Sequence, residues 1–257
     1  MVRPMKRTAD NNETMADFGF ESVPRDRKAG LVRAVFDNVA PRYDLMNDLM
    51  SFGVHRLWKA AFVDWLRPHD GMRLLDVAGG TGDIALRCLT RAPGIAVTIC
   101  DISQAMLDTG RRRAVDRGIL AGIDWVAGDA EALPVDDRSV DAYTIAFGLR
   151  NVTDIDAALA EARRVLCPGG RFLCLEFSRV SMPWLESLYD AYSFRWLPEL
   201  GARITGDRAA YRYLVESIRR FPPQDELAAR MKAAGLDLVS YRNLSGGIAA
   251  IHSAWRV

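Results

Sequence analysis

Two carboxylates, Asp76 and Asp83, enclose glycines 79, 80 and 82 in the stretch Asp76-Val77-Ala78-Gly79-Gly80-Thr81-Gly82-Asp83. The stretch joins an apolar run, Met72 to Val77, to a helix-spaced segment, Ile84 to Leu89. Glycines there remove the Cβ atoms that would hold a ligand off the backbone, and they permit positive φ in a tight turn. The spacing predicts a strand, a glycine turn and a helix, with something flat or polar lying against the turn.

Two ligand classes use such a turn: dinucleotides and S-adenosylmethionine. In the dinucleotide fingerprint, Gly-x-Gly-x-x-Gly sets a pyrophosphate on the helix N-terminus. Here Gly80-Thr81-Gly82 leads to Ala85, a permitted variant. Asp76 and Asp83 beside a pyrophosphate would be repulsive, whereas they suit a ligand with a sulfonium and an ammonium group.

Further acidic residues follow at strand ends. Ile95 to Cys100 is a second apolar run closing on Asp101, about 20 residues beyond the turn, where ribose hydroxyls would lie; the alternative is a plain strand-end cap. Ile123 to Ala127 is a third, leading to Gly128-Asp129-Ala130. Asp129 is positioned either to accept from an adenine amino group, with the Ala130 amide beside it, or to turn its own backbone. Val140 to Phe147 is a fourth, followed by Gly148-Leu149-Arg150-Asn151.

These residues need a scaffold. Val23 to Leu66 reads as helix, with Val32, Val35, Phe36 and Val39, then Leu57, Trp58, Ala61, Phe62 and Trp65, on one face, and with Pro41 as a break. Ser103 is the expected N-cap of Gln104 to Arg117. Asp154 opens a helix to Leu166, Pro168-Gly169-Gly170 turns, and Arg171 to Phe177 is a fifth strand. Strands and helices alternating in this way predict an α/β fold with a parallel sheet and helices on both faces, with ligands beyond the carboxyl ends of the strands. Pro183 to Pro198 and Ala209 to Arg220 are rich in aromatic residues, as core or as a lid over an apolar substrate. Gln224 to Ala234 is a helix, and Leu236 to Arg242 and Ile248 to Val257 form a closing strand pair.

The expected organisation is a disordered tail over 1–22 and one domain over 23–257: helical cap 23–70, cofactor-binding core 71–178, helical lid 179–223, C-terminal helix and strand pair 224–257. The 257 residues, 49% of them hydrophobic, can bury a full core. Lys+Arg 34 against Asp+Glu 33, without a basic run, argues against nucleic acid as a partner. Cysteines 88, 100, 167 and 174 lack Cys-x-x-Cys spacing and read as reduced thiols. His55, His69 and His252 lack ligand spacing, so no metal is expected. No run of 18 apolar residues is present to span a membrane.

Several motifs carry a resemblance. Tyr43-Asp44-x-Met46-Asn47 with Ser51, His55 and Trp58 resembles the first signature of the methyltransferases of ubiquinone and menaquinone biosynthesis. Arg164-Val165-Leu166-Cys167-Pro168-Gly169-Gly170 with Glu176-Phe177-Ser178 resembles their second. Phe147 to Val152, Tyr189 to Phe194, Tyr211 to Leu214 and Leu244 to Gly247 are similar to that family as well. Cys167 stands where the family has Lys, and Ala146 where many members have a cofactor-contacting Ser.

The resemblance implies a Rossmann-like class I methyltransferase sheet of seven mostly parallel strands, with a helical insertion before the last strands. It implies S-adenosylmethionine as cofactor, held by Asp76, Gly79, Gly80, Thr81, Gly82, Asp101, Asp129 and Ala130, with S-adenosylhomocysteine as product. The implied substrate is a demethylated polyprenyl benzoquinol or naphthoquinol, methylated on ring carbon. Arg150 and Asn151 are the expected catalytic pair, with Tyr43, His252 or a bound water as base. The same resemblance leads to the expectation of a cytoplasmic protein peripheral to the inner membrane, as a homodimer or with other quinone-biosynthesis enzymes. The competing reading is a cofactor-binding scaffold for such an assembly.

Overall fold

The computed structural model of the chain describes residues 15–39, 47–48, 51, 53–180 and 208–257. A hairpin of β1 (Met15–Phe18) and β2 (Glu21–Pro24) leads into α1 (Arg25–Val39), and α2 (His55–Leu66) follows. The core alternates: β3 (Arg73–Val77), α3 (Asp83–Arg91), β4 (Ala96–Asp101), α4 (Gln104–Asp116), β5 (Ile123–Ala127), β6 (Val140–Ala146), α5 (Ile155–Val165) and β7 (Leu166–Phe177). Then come α6 (Arg208–Arg220), α7 (Gln224–Ala233), β8 (Asp237–Leu244) and β9 (Ala249–Trp255).

Among the described residues the sheet has seven strands in the order β5-β4-β3-β6-β7-β9-β8. Only β9 runs against its neighbours, β7 and β8. The core strands are apolar on both faces because helices cover both. Leu74, Ile99 and Leu173 pack with Phe62 and Val63 of α2 and with Ile84 of α3. Leu75, Tyr143, Ile145 and Phe172 pack on the opposite side with Leu159 of α5 and Met231 of α7. The chain leaves β3 toward β4 on one side and returns to β6 on the other, so the strand order reverses between β3 and β6. The crevice at such a reversal is where open α/β sheets take ligands.

The structure differs from the sequence reading at the N-terminal hairpin, which also takes Val23 and Pro24 from the expected helix, and at the turn before Arg171. Residues 15–22, expected in a disordered tail, enter the β1–β2 hairpin, which turns at Gly19 with φ 62°. An isolated two-stranded hairpin is marginal. This one leans on α6, where the Phe18 ring stacks on Tyr213 at 4.3 Å and the Phe20 N–H donates to Glu216 at 3.0 Å. The predicted Pro168-Gly169-Gly170 turn is absorbed into β7 as an irregularity, since pairing passes from Val140–Leu166 to Ala142–Arg171. The C-terminus fastens it, with the Gly169 N–H donating to the Arg256 carbonyl at 2.7 Å and the Arg256 N–H to that of Gly170 at 2.9 Å.

Candidate active site

The cleft opens beyond the carboxyl ends of β3, β4, β5 and β6. Its floor is the turn after β3. Gly80 takes φ 55° and donates its N–H to Asp101 Oδ2 at 2.8 Å. Gly79 is a matter of space: a Cβ there would lie 2.9 Å from Asp76 Oδ2 and 2.8 Å from Ile99 Cγ2.

Asp76 is 1% exposed, in the last turn of pleat before the glycines. Its Oδ1 accepts from Thr144 Oγ1 at 2.7 Å, while Oδ2 is buried without a partner. Burial, with Asp83 and Asp101 adding repulsion against the Thr144 bond, pushes the carboxyl up to about 7. A buried carboxylate oxygen lacking a donor is costly. A cation at the turn would offset that cost.

Asp101, on the cleft wall, accepts from the Ser103 N–H through Oδ1 at 2.9 Å, and burial raises it to about 6 despite its backbone donors. Asp129 and Ala130 line the far end of the cleft. Asp129 Oδ1 accepts from the Glu131 N–H at 3.0 Å, so it turns its own backbone while facing the cleft. Asp83 departs from the sequence argument. Against the penalty of burial, Lys59 at 2.8 Å and Arg87 at 3.0 Å hold it down at about 2, so its charge is already neutralised. Thr81 is 2% exposed and accepts from Arg113 Nη1 at 3.0 Å, beneath the turn rather than on the cleft wall.

The opposite wall is the turn after β6. Phe147 takes φ 59°, and the 3₁₀ turn Leu149–Asn151 follows. A Cβ on Gly148 would lie 2.4 Å from Ala78 Cβ, so the two strand-end turns meet at a glycine. Asn151 lines the cleft, and its Oδ1 accepts from Tyr213 Oη at 3.0 Å. Arg150 points the other way. Its Nη1 reaches Glu176 Oε1 at 2.9 Å and Oε2 at 3.0 Å, and donates to the Phe147 carbonyl at 2.5 Å. Burial pushes the Glu176 carboxyl up, with Arg150 pulling against it. The roof is α1, which lays Ala29, Val32 and Phe36 over the cleft.

The structure therefore gathers Gly80, Asp101, Asp129, Ala130 and Asn151 on one cleft, with Asp76 directly beneath it and Arg150 behind its wall. His252 is not brought there. It sits on β9 opposite Cys174, with Nε2 3.0 Å from the Gln224 carbonyl, and burial lowers its pKa. A ring committed to a backbone carbonyl away from the cleft is no base for chemistry within it. Tyr43 and the aromatic stretch 183–198 lie outside the described residues. Sequence reasoning missed the pairing of Glu176 with Arg150 and of Tyr213 with Asn151. Glu176 did carry a signal, being a lone carboxylate in the apolar run Phe172 to Phe177, where a buried charge demands a partner.

The cleft thus has a buried carboxylate oxygen without a donor under its glycine floor, a second carboxylate at a strand end and a third at its far end. Comparison with known proteins shows the family. The model of the ubiE/COQ5 methyltransferase family matches residues 22–256. The chain is 61% identical over 250 residues to a ubiquinone/menaquinone biosynthesis C-methyltransferase UbiE of Methylobacterium nodulans, covering 96% of this chain and 98% of that one. It is 58% identical over 240 residues to the corresponding protein of Paracoccus denitrificans, covering 93% and 96%. Among solved structures, a SAM-dependent methyltransferase from Aquifex aeolicus superposes with TM-score 0.60 at 16% identity, covering 86% and 98%. The [4+2]-cyclase SpnF does so with TM-score 0.65 at 20% identity, covering 88% and 94%. Similarity at that level speaks for the fold alone.

Proposed function

The chain belongs to the ubiE/COQ5 methyltransferase family, and from that premise we propose that it is an S-adenosylmethionine-dependent C-methyltransferase of ubiquinone or menaquinone biosynthesis. Its substrate in this reading is the ring of a demethylated polyprenyl quinol. The observation that carries the reading is the unpartnered Asp76 Oδ2 beneath a cleft shared by Asp101, Asp129 and Asn151.

When bound, the cofactor supplies an electrophilic methyl group on a sulfonium. The protein's part is to hold and orient. Asp76 takes the cationic end, Asp101 the ribose, and Asp129 with the Ala130 amide the adenine edge. Thr81 acts through the turn it buttresses. The apolar roof of α1 keeps water out, and alignment of two reactants can lower a barrier by roughly 7 to 11 kcal/mol.

A quinol ring carbon becomes a strong nucleophile when a ring hydroxyl ionises, and a free phenol has a pKa of about 10. Arg150, its charge matched by Glu176 behind the wall and its Nη1 on the Phe147 carbonyl, braces the turn that presents Asn151 to the phenol. The phenol proton leaves by a route other than Arg150. A water held by Asn151 is the acceptor we favour, with Tyr43 the other candidate.

Peripheral membrane contact belongs to the same proposal. Phe20, Leu31 and Leu57, on the N-terminal elements, are 49%, 38% and 70% exposed and would face the bilayer. No helix among the described residues is long and apolar enough to cross a membrane. Failure to sediment with quinone-loaded liposomes, with activity on long-tailed substrate intact, would remove this contact.

The test of the reaction is transfer of labelled methyl to a demethylated benzoquinol and, separately, to a demethylated naphthoquinol, both kept reduced. Transfer to one names the pathway, and transfer to both makes the enzyme common to the two. Transfer to neither, with cofactor bound, would replace the enzyme by a scaffold.

A further inference from the structure

We propose that a second cavity, on the far side of Arg150 from the cofactor cleft, is a binding site for a phosphate-bearing anion. The cavity measures about 370 Å³ and lies between the β1–β2 hairpin, the start of α1, the end of α6 and the start of α7. A single water needs only roughly 15 Å³ of such volume, so the space holds a phosphate group with its hydration.

Its walls carry an excess of positive charge. Arg25, Lys28, Arg150, Arg179, Arg220 and Arg230 line it, six basic side chains against the three acidic ones of Asp17, Asp154 and Glu226. Most of these are matched. Arg25 pairs with Asp154, Arg230 with Glu226 at 3.1 Å, and Arg220 stands 4.0 Å from Asp17. Arg150 is matched by Glu176 behind the wall, although its Nε is buried with no hydrogen bond.

Two cations remain. Lys28 is 6% exposed, and its Nζ donates to the neutral carbonyl of Val152 at 2.8 Å. Burial depresses its pKa, with Arg25 adding to the depression and the carboxylates of Asp17 and Glu131 pulling the other way. Arg179 is exposed on the rim and has no ion pair among the described residues; its carbonyl accepts from Gln224 Nε2 at 3.0 Å. A phosphate in the cavity would add counter-charge to walls on which Lys28 and Arg179 both stand. The Arg179 guanidinium fork matches two oxygens of a phosphate, and the Lys28 ammonium adds a point charge. A neutral quinol would gain nothing from such walls, which separates this site from the one proposed for the substrate. The phosphate could belong to a small ester or to a phospholipid headgroup.

The experiment uses the full chain without cofactor or quinol, so its outcome is independent of methyl transfer. Inorganic phosphate is titrated calorimetrically at low salt. Sedimentation is measured with phosphatidylcholine vesicles containing or lacking phosphatidylglycerol. Wild type, Arg179→Ala, Arg179→Lys and the distant surface control Arg112→Ala are compared, each with its thermal melt. We expect saturable phosphate binding that weakens roughly tenfold or more in Arg179→Ala, is largely kept in Arg179→Lys and is unchanged in Arg112→Ala. Phosphatidylglycerol-dependent sedimentation with the same variant pattern assigns the phosphate to a lipid, and its absence alongside phosphate binding assigns it to a small ester. No saturable phosphate binding by the wild type, or equal binding by Arg179→Ala with an unchanged melt, would overturn the proposal.

Discussion

Arg150 and Glu176 form a buried ion pair at 2.9 Å, their side chains 2% and 1% exposed, one residue behind the cleft wall. Removing one member of such a pair leaves an uncompensated buried charge, whereas replacing both by apolar groups is often nearly neutral. Glu176→Gln should therefore cost about 3 kcal/mol of stability in urea unfolding. The double variant Arg150→Met, Glu176→Leu should recover most of it yet stay inactive. A double variant as unstable as the single would show that the pair is chiefly a structural prop.

Tyr213 meets the cleft wall at Asn151, whose Oδ1 it donates to at 3.0 Å. Tyr213→Phe deletes that bond, worth about 1 kcal/mol, and leaves the cleft wall in place. We expect kcat to fall roughly tenfold, with KM for S-adenosylmethionine within about twofold of wild type, because the loss is confined to orientation. Unchanged kcat would mean that the Asn151 rotamer does not matter.

Gly148 and Ala78 meet where the turns after β6 and β3 touch, and a Cβ on Gly148 would lie 2.4 Å from Ala78 Cβ. Gly148→Ala should push the turns apart and cost about 1 to 3 kcal/mol, with weaker cofactor binding. Ala78→Gly removes the other half of the clash, and at φ 50° glycine is at ease. The double variant should regain cofactor affinity; additive losses in the thermodynamic cycle would refute the contact.

Asp76 titrates near 7 in the folded chain, above its unfolded value of about 3.9. The folded state then holds this proton more tightly than the unfolded state. Its contribution to stability is complete below about pH 4 and is lost as pH rises through 7. Without ligand, wild type should lose stability relative to Asp76→Asn between pH 5 and pH 8 in paired melts. A bound cation favours the ionised form, so the Kd for S-adenosylmethionine should rise as pH falls below 7, approaching roughly tenfold per pH unit. A pH-independent Kd would separate Asp76 from the cofactor's charge.

Much of the candidate cleft was legible in the sequence, because its features are local. Asp76, Gly80 and Asp101 each close an apolar run or open a turn, and strand ends share one edge of a parallel sheet. The other half depends on partners distant in the chain. Arg150 meets Glu176 and Asn151 meets Tyr213, across 26 and 62 residues, and no periodicity encodes such pairings. The hairpin was missed for a similar reason, since its four-residue strands are stabilised by Tyr213 and Glu216 of α6 rather than by their own pattern. Asp83 misled because its spacing from Asp76 is plain, while the Lys59 that neutralises it comes from a helix of the cap. His252 was legible as a titratable group, but not its commitment to the Gln224 carbonyl.

The most direct measurement of the central claim is the fate of a ¹³C-labelled methyl group presented on S-adenosylmethionine with a reduced, demethylated polyprenyl quinol. The account predicts a product whose labelled methyl is bonded to ring carbon in the NMR spectrum, formed by wild type and not by Arg150→Met. A methyl on oxygen, or no transfer by a protein that binds the cofactor, would contradict it.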